Sequence, residues 1–135
     1  MRLDDRSERH LVGVHPHLVE VVRHCFTNGV THFIVTEGVR TTVRQAELIK
    51  AGASQTMRSR HLTGHAVDLA VMIDGEVRWD WPLYYRLAAE MKVSASLVGV
   101  PIVCGVDWKT FPDGPHYQLP WDKYPTEGDS HERTA

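Results

Sequence analysis

Two short stretches concentrate side chains that bind metals and move protons: Ser59-Arg60-His61-Leu62-Thr63-Gly64-His65-Ala66-Val67-Asp68 and Asp113-Gly114-Pro115-His116-Tyr117. Together they offer two histidines and a carboxylate as zinc ligands, with a second carboxylate close to the last histidine. Three protein ligands leave a tetrahedral metal one open position, which separates a catalytic site from a closed structural one. A carboxylate beside that position can take a proton from water held there, so the pattern predicts hydrolytic chemistry.

The spacing says more about some of these residues than others. Ala66 to Ile73 predicts a strand, in which Ala66, Asp68 and Ala70 share one face and Val67, Leu69 and Val71 the other. The second face is wholly apolar and belongs in the core. The first sets one carboxylate between two small alanines, a costly arrangement unless the charge is paired or metal-bound. A salt-bridged or capping aspartate is the plain alternative. His61 and His65 are four apart, but Gly64 and the following strand argue against a helix, so only one of them is expected to face a metal. Spacing does not say which, and the chain has nine histidines to choose from. His116 opens a further strand and shares a face with Gln118. Asp113 precedes it across Gly114 and Pro115, a turn tight enough to hold a carboxylate near a metal on His116 without ligating it. Pro112-Asp113-Gly114 is also an ordinary turn sequence, and the two readings are compatible.

The elements that must position these groups can be read in outline. Leu18, Val21, Val22, Cys25 and Phe26 recur at helical spacing between His17 and Thr27, and Asn28-Gly29 supplies the expected left-handed stop. Phe33-Ile34-Val35 predicts a short strand leading to Glu37-Gly38-Val39-Arg40. Thr42-Val43-Arg44-Gln45 has the form of a capping box opening a short helix that stops near Gly52, and a loop runs from Ala53 to Thr63. Asp74-Gly75 predicts a hairpin turn into Val77 and Trp79. Asp80-Trp81-Pro82 opens a helix whose buried stripe is Leu83, Tyr84, Leu87, Ala88 and Met91. Ile102-Val103-Cys104 and His116 to Leu119 complete the strands. Short antiparallel strands interleaved with two or three helices predict an α+β domain, a small antiparallel sheet with packed helices, over residues 1–120, with a polar tail over 121–135.

Composition narrows the function classes. A chain of 135 residues with 42% apolar and 24% charged residues is one ordinary globular domain with core enough to fold without disulfides. A net charge of -2 and the lack of any Lys/Arg-rich run give no footprint for nucleic acid. Cys25 and Cys104 form no Cys-x-x-Cys pair and read as buried apolar side chains. No apolar segment near Met1 resembles a signal peptide, and no run reaches membrane-spanning length. Synthesis in the cytoplasm, no membrane insertion and a monomeric state are the expectations.

Ser-x-His-x-x-Gly-x-Ala-x-Asp at Ser59 to Asp68, followed by Asp-x-Pro-His-aromatic at Asp113 to Tyr117, resembles the LAS-type zinc peptidases. That group includes D-alanyl-D-alanine carboxypeptidases and dipeptidases, of Hedgehog-like fold, and the phage L-alanyl-D-glutamate peptidases. Gly13 to Leu18, Thr36 to Thr41 and Asp107 to Phe111 look like the phage endolysin branch, so the resemblance spans about residues 7–120. It implies zinc as cofactor, with His61, Asp68 and His116 as ligands and His65 as a neighbour. It also implies Asp113 as the catalytic carboxylate and Arg40 in the cleft, stabilising an oxyanion or holding a substrate carboxylate. Gln45 and Ser59 are then expected to meet substrate, although capping explains Gln45 as well. The implied activity is hydrolysis of the peptidoglycan stem peptide between L-alanine and D-glutamate during host-cell lysis. The rivals are D-alanyl-D-alanine cleavage on the same zinc, an inactive zinc-containing binding module, and a peptidase using Cys25 or Cys104. Cys104-Gly105-Val106 departs from the Trp-Gly-Gly usual before Asp-Trp in that branch, which bears on the cleft wall beside Trp108.

Overall fold

The computed structural model describes residues 2–54, 56 and 58–126. Its organising element is β2 (Ala66–Ile73), which has neighbours along both halves of its length. Val67, Leu69 and Val71 point to one face and are fully buried, as the alternation requires. Antiparallel to it runs β1 (Phe33–Glu37), with Phe33 opposite Val71 and Val35 opposite Leu69. The start of β2 pairs with β5 (His116–Gln118), and β5 in turn pairs with β4 (Val103–Cys104). The sheet order is therefore β1-β2-β5-β4, with β3 (Glu76–Arg78) folded back on the far end of β2. Asp74 and Gly75 join β2 to β3 with φ of 51° and 80°, the two positive values that an Asp-Gly hairpin turn supplies.

Two helices close the apolar face. Leu18, Val21, Val22 and Cys25 on α2 (Pro16–Asn28) meet Tyr84, Leu87, Ala88 and Met91 on α4 (Trp81–Val98), and both sets join Val67, Leu69, Tyr117 and Leu119 in one core. Each buried Val, Leu or Met among them contributes about 1.5–3 kcal/mol by leaving water, so the sheet that carries the site is anchored on the hydrophobic core. A shorter helix, α3 (Thr42–Lys50), lies between β1 and the loop that leads to Arg60. The architecture is the expected α+β arrangement of helices on a small antiparallel sheet.

Several details differ from the sequence expectation. A further helix, α1 (Asp5–Leu11), has too few apolar repeats to show periodicity. It is fixed by Asp4, which accepts from the Ser7 amide, and by the Ser7 hydroxyl, which accepts from Val35 N at 2.9 Å along the edge of β1. Gly29 is extended at φ -81° rather than left-handed; it is needed because a Cβ would press on the Cys25 carbonyl and Glu90. The cap of α3 is Thr41, whose hydroxyl accepts from Arg44 N, one residue earlier than the capping-box spacing suggests. The domain also continues past residue 120. Tyr124 packs against the core and its carbonyl accepts from Arg60, so 121–124 are not tail. Residues 127–135 of the expected tail lie outside the described residues.

Candidate metal centre and cleft

Strand register assembles half of the site. Asp68 stands opposite His116 on β5 and opposite Glu37 on β1, so a carboxylate, an imidazole and a second carboxylate lie in one row across three strands. Directly opposed residues of an antiparallel pair have adjacent side chains. A bulge between Val35 and Glu37 shifts the register so that Glu37, not Thr36, meets Asp68. Bulges commonly re-aim a side chain beside an active site.

His61 reaches this row from a 3-10 turn, Arg60–Thr63, that packs against β2. The Ser59 hydroxyl caps the turn by accepting from His61 N at 3.2 Å, and Gly64 ends it at φ 77°, a left-handed conformation that glycine adopts without a Cβ clash. The backbone holds His61 from above as well: Arg40 N donates to the His61 carbonyl at 2.9 Å. Beneath the turn Arg60 is buried, donating to the carbonyls of Leu119, Pro120 and Tyr124 and lying 4.2 Å over the Trp121 ring. The reversal at Gly64 turns His65 away. Its Nδ1 lies 2.8 Å from the Thr63 hydroxyl and its ring packs 5.4 Å from His15.

The ring partners decide which nitrogens remain for a ligand. His61 Nδ1 donates to the Gly38 carbonyl at 2.8 Å, leaving Nε2 to face Asp68 Oδ1 at 3.2 Å. His116 Nε2 donates to Gln118 Oε1 at 2.7 Å, leaving Nδ1 to face the same Asp68 oxygen at 3.4 Å. In neutral rings both inward nitrogens carry lone pairs and aim them at a carboxylate oxygen, an arrangement that calls for a cation between them. The three donor atoms lie within 4.8 Å of one another, a spacing that could hold a metal ion. When protons instead of a metal occupy the inward nitrogens, burial would raise the Asp68 carboxyl, but hydrogen bonds from the protonated His116 and His61 outweigh it and hold the group below the usual carboxylate range. Burial likewise opposes charge on His116, yet the Asp68 hydrogen bond and charge prevail and raise its pKa. The pocket draws in positive charge.

Among the described residues the Arg40 guanidinium meets Glu37, Gln45 and Asp68. It grips Glu37 with two hydrogen bonds of 2.9 and 2.7 Å, donates to Gln45 Oε1 at 2.7 Å, and places Nη2 3.6 Å from Asp68 Oδ2. One Asp68 oxygen thus faces the histidines and the other faces the guanidinium. Gln45 is fully buried beneath the cleft, where its amide donates to the Ser54 hydroxyl and the Thr56 carbonyl. Asp68, Glu37 and Asp113 place three carboxylates around Arg40 in this part of the cleft.

Asp113 stands in the wall of the cleft above the triad. Its carboxyl is raised by burial and by the nearby Asp68 charge. Its turn is tied down at both ends, since Asp113 N donates to the Gly105 carbonyl at 2.9 Å and His116 N donates to the Asp113 carbonyl at 3.2 Å. Gly105 permits that approach, because a Cβ there would strike Asp113 and the His116 Cβ. The cleft has a volume of about 930 Å³ and also exposes Arg40, Ser59, Trp108, Phe111 and Trp121. Trp108 packs 5.0 Å from the His116 ring. Cys25 and Cys104 are buried elsewhere, and burial pushes both thiols up to about 11.

The sequence model of the phage L-alanyl-D-glutamate peptidase family matches residues 1–119. The chain belongs to that family. Among relatives, the L-alanyl-D-glutamate peptidase of Listeria phage A118 is 39% identical over 101 residues, covering 75% of this chain and 34% of its own length. The L-alanyl-D-glutamate peptidase of Escherichia phage T5 is 29% identical over 111 residues, covering 79% of this chain and 81% of its own. The chain thus spans about a third of the Listeria phage relative and about four-fifths of the Escherichia phage one. Among solved structures, the L-Ala D-Glu endopeptidase ChiX of Serratia marcescens matches with a TM-score of 0.87 and 46% identity, over 93% of this chain and 95% of that one.

Within this phage peptidase fold, sequence reasoning passed over the groups that hold the triad rather than those that form it. Glu37, the Gly38 carbonyl and Gly105 carry no spacing signal of their own, whereas Gln118 is placed on the His116 face without a role.

Proposed function

We propose that this family member is a zinc-dependent peptidase of the peptidoglycan stem peptide that cleaves between L-alanine and D-glutamate, in the setting of host-cell lysis. The observation that carries the reading is the convergence of His61 Nε2, Asp68 Oδ1 and His116 Nδ1 on one point below a cleft whose wall bears Asp113. The family match and the named activities of the relatives support the bond.

His61, Asp68 and His116 would hold the zinc, which when bound would polarise the scissile carbonyl and acidify a water at its open position. Asp113 takes a proton from the attacking water and returns it to the leaving amine of D-glutamate. A carboxyl raised by burial is the stronger base for this work. Arg40 fixes Asp68 through its second oxygen and lends positive charge to the oxygen of the tetrahedral intermediate. Gln45 acts through Arg40 from below, and Ser59 steadies the turn that carries His61 while lining the cleft. An inactive binding module would have no use for Asp113. A cysteine nucleophile is opposed by two buried thiols far from their thiolate form.

Digestion of purified peptidoglycan tests the bond. Cleavage as proposed exposes new D-glutamate amino termini and leaves L-alanine on the muramyl lactyl group. Release of D-alanine as the main product, read by end-group labelling and mass spectrometry, would replace this reading with the D-alanyl-D-alanine one while leaving the metal chemistry in place.

A further inference from the structure

Trp79, Trp81 and Tyr85 are 60%, 46% and 58% exposed, although each is large and apolar enough to be buried. Trp79 lies parallel to Tyr84 with ring centroids 5.9 Å apart, and Trp81 sits 6.1 Å from Tyr85. Contiguous exposed aromatic surface marks a place where something binds. Between the rings and the Pro112-Asp113-Gly114-Pro115 turn lies a hollow of about 250 Å³. Pro112 and Asp113 line this hollow on one side and the catalytic cleft on the other, so the two share a wall. The contact is close: a Cβ on Gly114 would stand 3.2 Å from Tyr84 and 3.4 Å from Trp81 Cζ3.

We infer that this hollow is a saccharide subsite that receives an amino sugar of the glycan strand bearing the stem peptide. The inference rests on the proposed function. In that substrate L-alanine is joined to the muramyl lactyl group, so the sugar is one residue from the scissile bond. An extended residue spans only about 3.3–3.6 Å. A cleft holding that bond must therefore have the sugar ring at its rim, and the shared wall is such a rim. Pyranose rings offer a face of C–H groups, electropositive at hydrogen, that suits the negative face of an aromatic ring. Arg78 and Asp80, ion-paired at 2.8 Å and half-exposed on either side of Trp79, supply donors and acceptors for hydroxyl and N-acetyl groups.

The test compares wild type with a Trp79→Ala/Tyr85→Ala double variant, chosen because both side chains are more than half exposed. Two measurements are made: titration with glycan strands stripped of peptide, and kinetics on a disaccharide-peptide against the same peptide without sugar. Wild type should bind the stripped glycan and prefer the sugar-bearing substrate. The variant should lose that binding, and its KM for the disaccharide-peptide should rise about tenfold, the scale of an aromatic contact or two, with kcat within about twofold. Equal losses on both substrates would mean that the rings only buttress the Asp113 turn, and would overturn the subsite. So would wild type that ignores stripped glycan, or a variant that matches it on both substrates. Wild type inactive on both substrates would instead bring down the proposed function, while glycan binding would still report on the hollow. A single Trp79→Ala variant, whose ring lines the hollow, gives the same contrast should the double variant fold poorly.

Discussion

Asp68 and His116 are held by paired strands, whereas Ser59, Trp108, Phe111 and Trp121 reach the same cleft from loops and turns. The first group sits over Val67, Leu69 and Tyr117, all fully buried, and its spacing is fixed by the ladder. The second group is fixed by caps, ring contacts and carbonyl hydrogen bonds, any of which can change without moving the sheet. Metal geometry tolerates errors of a few tenths of an ångström, and recognition of a substrate tolerates more. The division suits that demand, with two of the three proposed metal ligands on the rigid element and the cleft walls on the variable one. Two groups test the rule. Asp113 lies on a turn tied to the Gly105 carbonyl and the His116 amide. His61 lies on a turn that the chain steadies with Gly64, the Ser59 cap, the Gly38 and Arg40 backbone contacts and the buried Arg60.

The largest effects should come from breaking the strand-borne centre itself. His61→Ala and His116→Ala should each reduce bound zinc from about one per chain to near zero, with activity lost in proportion, since three protein ligands are the minimum of a catalytic site. His65→Ala should keep its zinc. Elemental analysis of the three variants checks this, and zinc lost from His65→Ala but retained in His61→Ala would reverse the assignment. Chelation should abolish activity and thiol alkylation should leave it untouched.

Next in size is the base. Asp113→Asn should retain zinc and fold yet lose activity by roughly 100-fold or more, the usual worth of a positioned general base. Full activity at matched zinc content would remove Asp113 from the mechanism. Because Asp113 sits on a turn, Gly105→Ala offers a geometric counterpart: it leaves the carboxylate in the chain but presses on the Asp113 backbone and on His116. A drop in kcat together with weakened zinc binding is expected there, in contrast to Asp113→Asn.

How much of this was legible in the sequence follows the same division. The β2 strand was readable to the residue, because the alternation of Val67, Leu69 and Val71 with Ala66, Asp68 and Ala70 leaves one possible orientation. The pairing of Asp68 with His116 was not, since residues 48 apart are brought together only by register. Choosing His61 over His65 needed either the family resemblance or the turn geometry at Gly64. Gln45 was expected to line the cleft or to complete a capping box; it is fully buried as a brace for Arg40, and the helix cap lies one residue earlier than that box, at Thr41. Arg40 itself was expected to stabilise an oxyanion or hold a substrate carboxylate; the bulge that delivers Glu37 to it has no local sequence signature.

The hydrogen-bonding partners behind the ligands give smaller, graded effects. Gln118→Ala removes the acceptor that fixes the His116 tautomer, and Glu37→Gln removes the charge that holds Arg40 against Asp68. Each should weaken zinc affinity by about 10–100-fold, as loss of such partners commonly does. Competition against a chelator of known affinity measures it. Affinity unchanged in both would mean that the strands alone position the ligands.

The smallest effect separates two roles for Ser59, which lines the cleft and also caps the turn carrying His61. A cap of this kind contributes about 1 kcal/mol. If capping is its part, Ser59→Ala should lower unfolding free energy by about that amount and modestly weaken zinc binding, with KM at saturating zinc unchanged. Ser59→Thr, which keeps the hydroxyl, should restore both. If Ser59 instead touches the stem peptide, KM should rise at saturating zinc while stability holds. Denaturant unfolding beside steady-state kinetics on both variants decides between them. Either outcome sharpens the contrast between centre and wall, since in neither case should replacing a loop hydroxyl disturb the Asp68–His116 pairing that the strands impose.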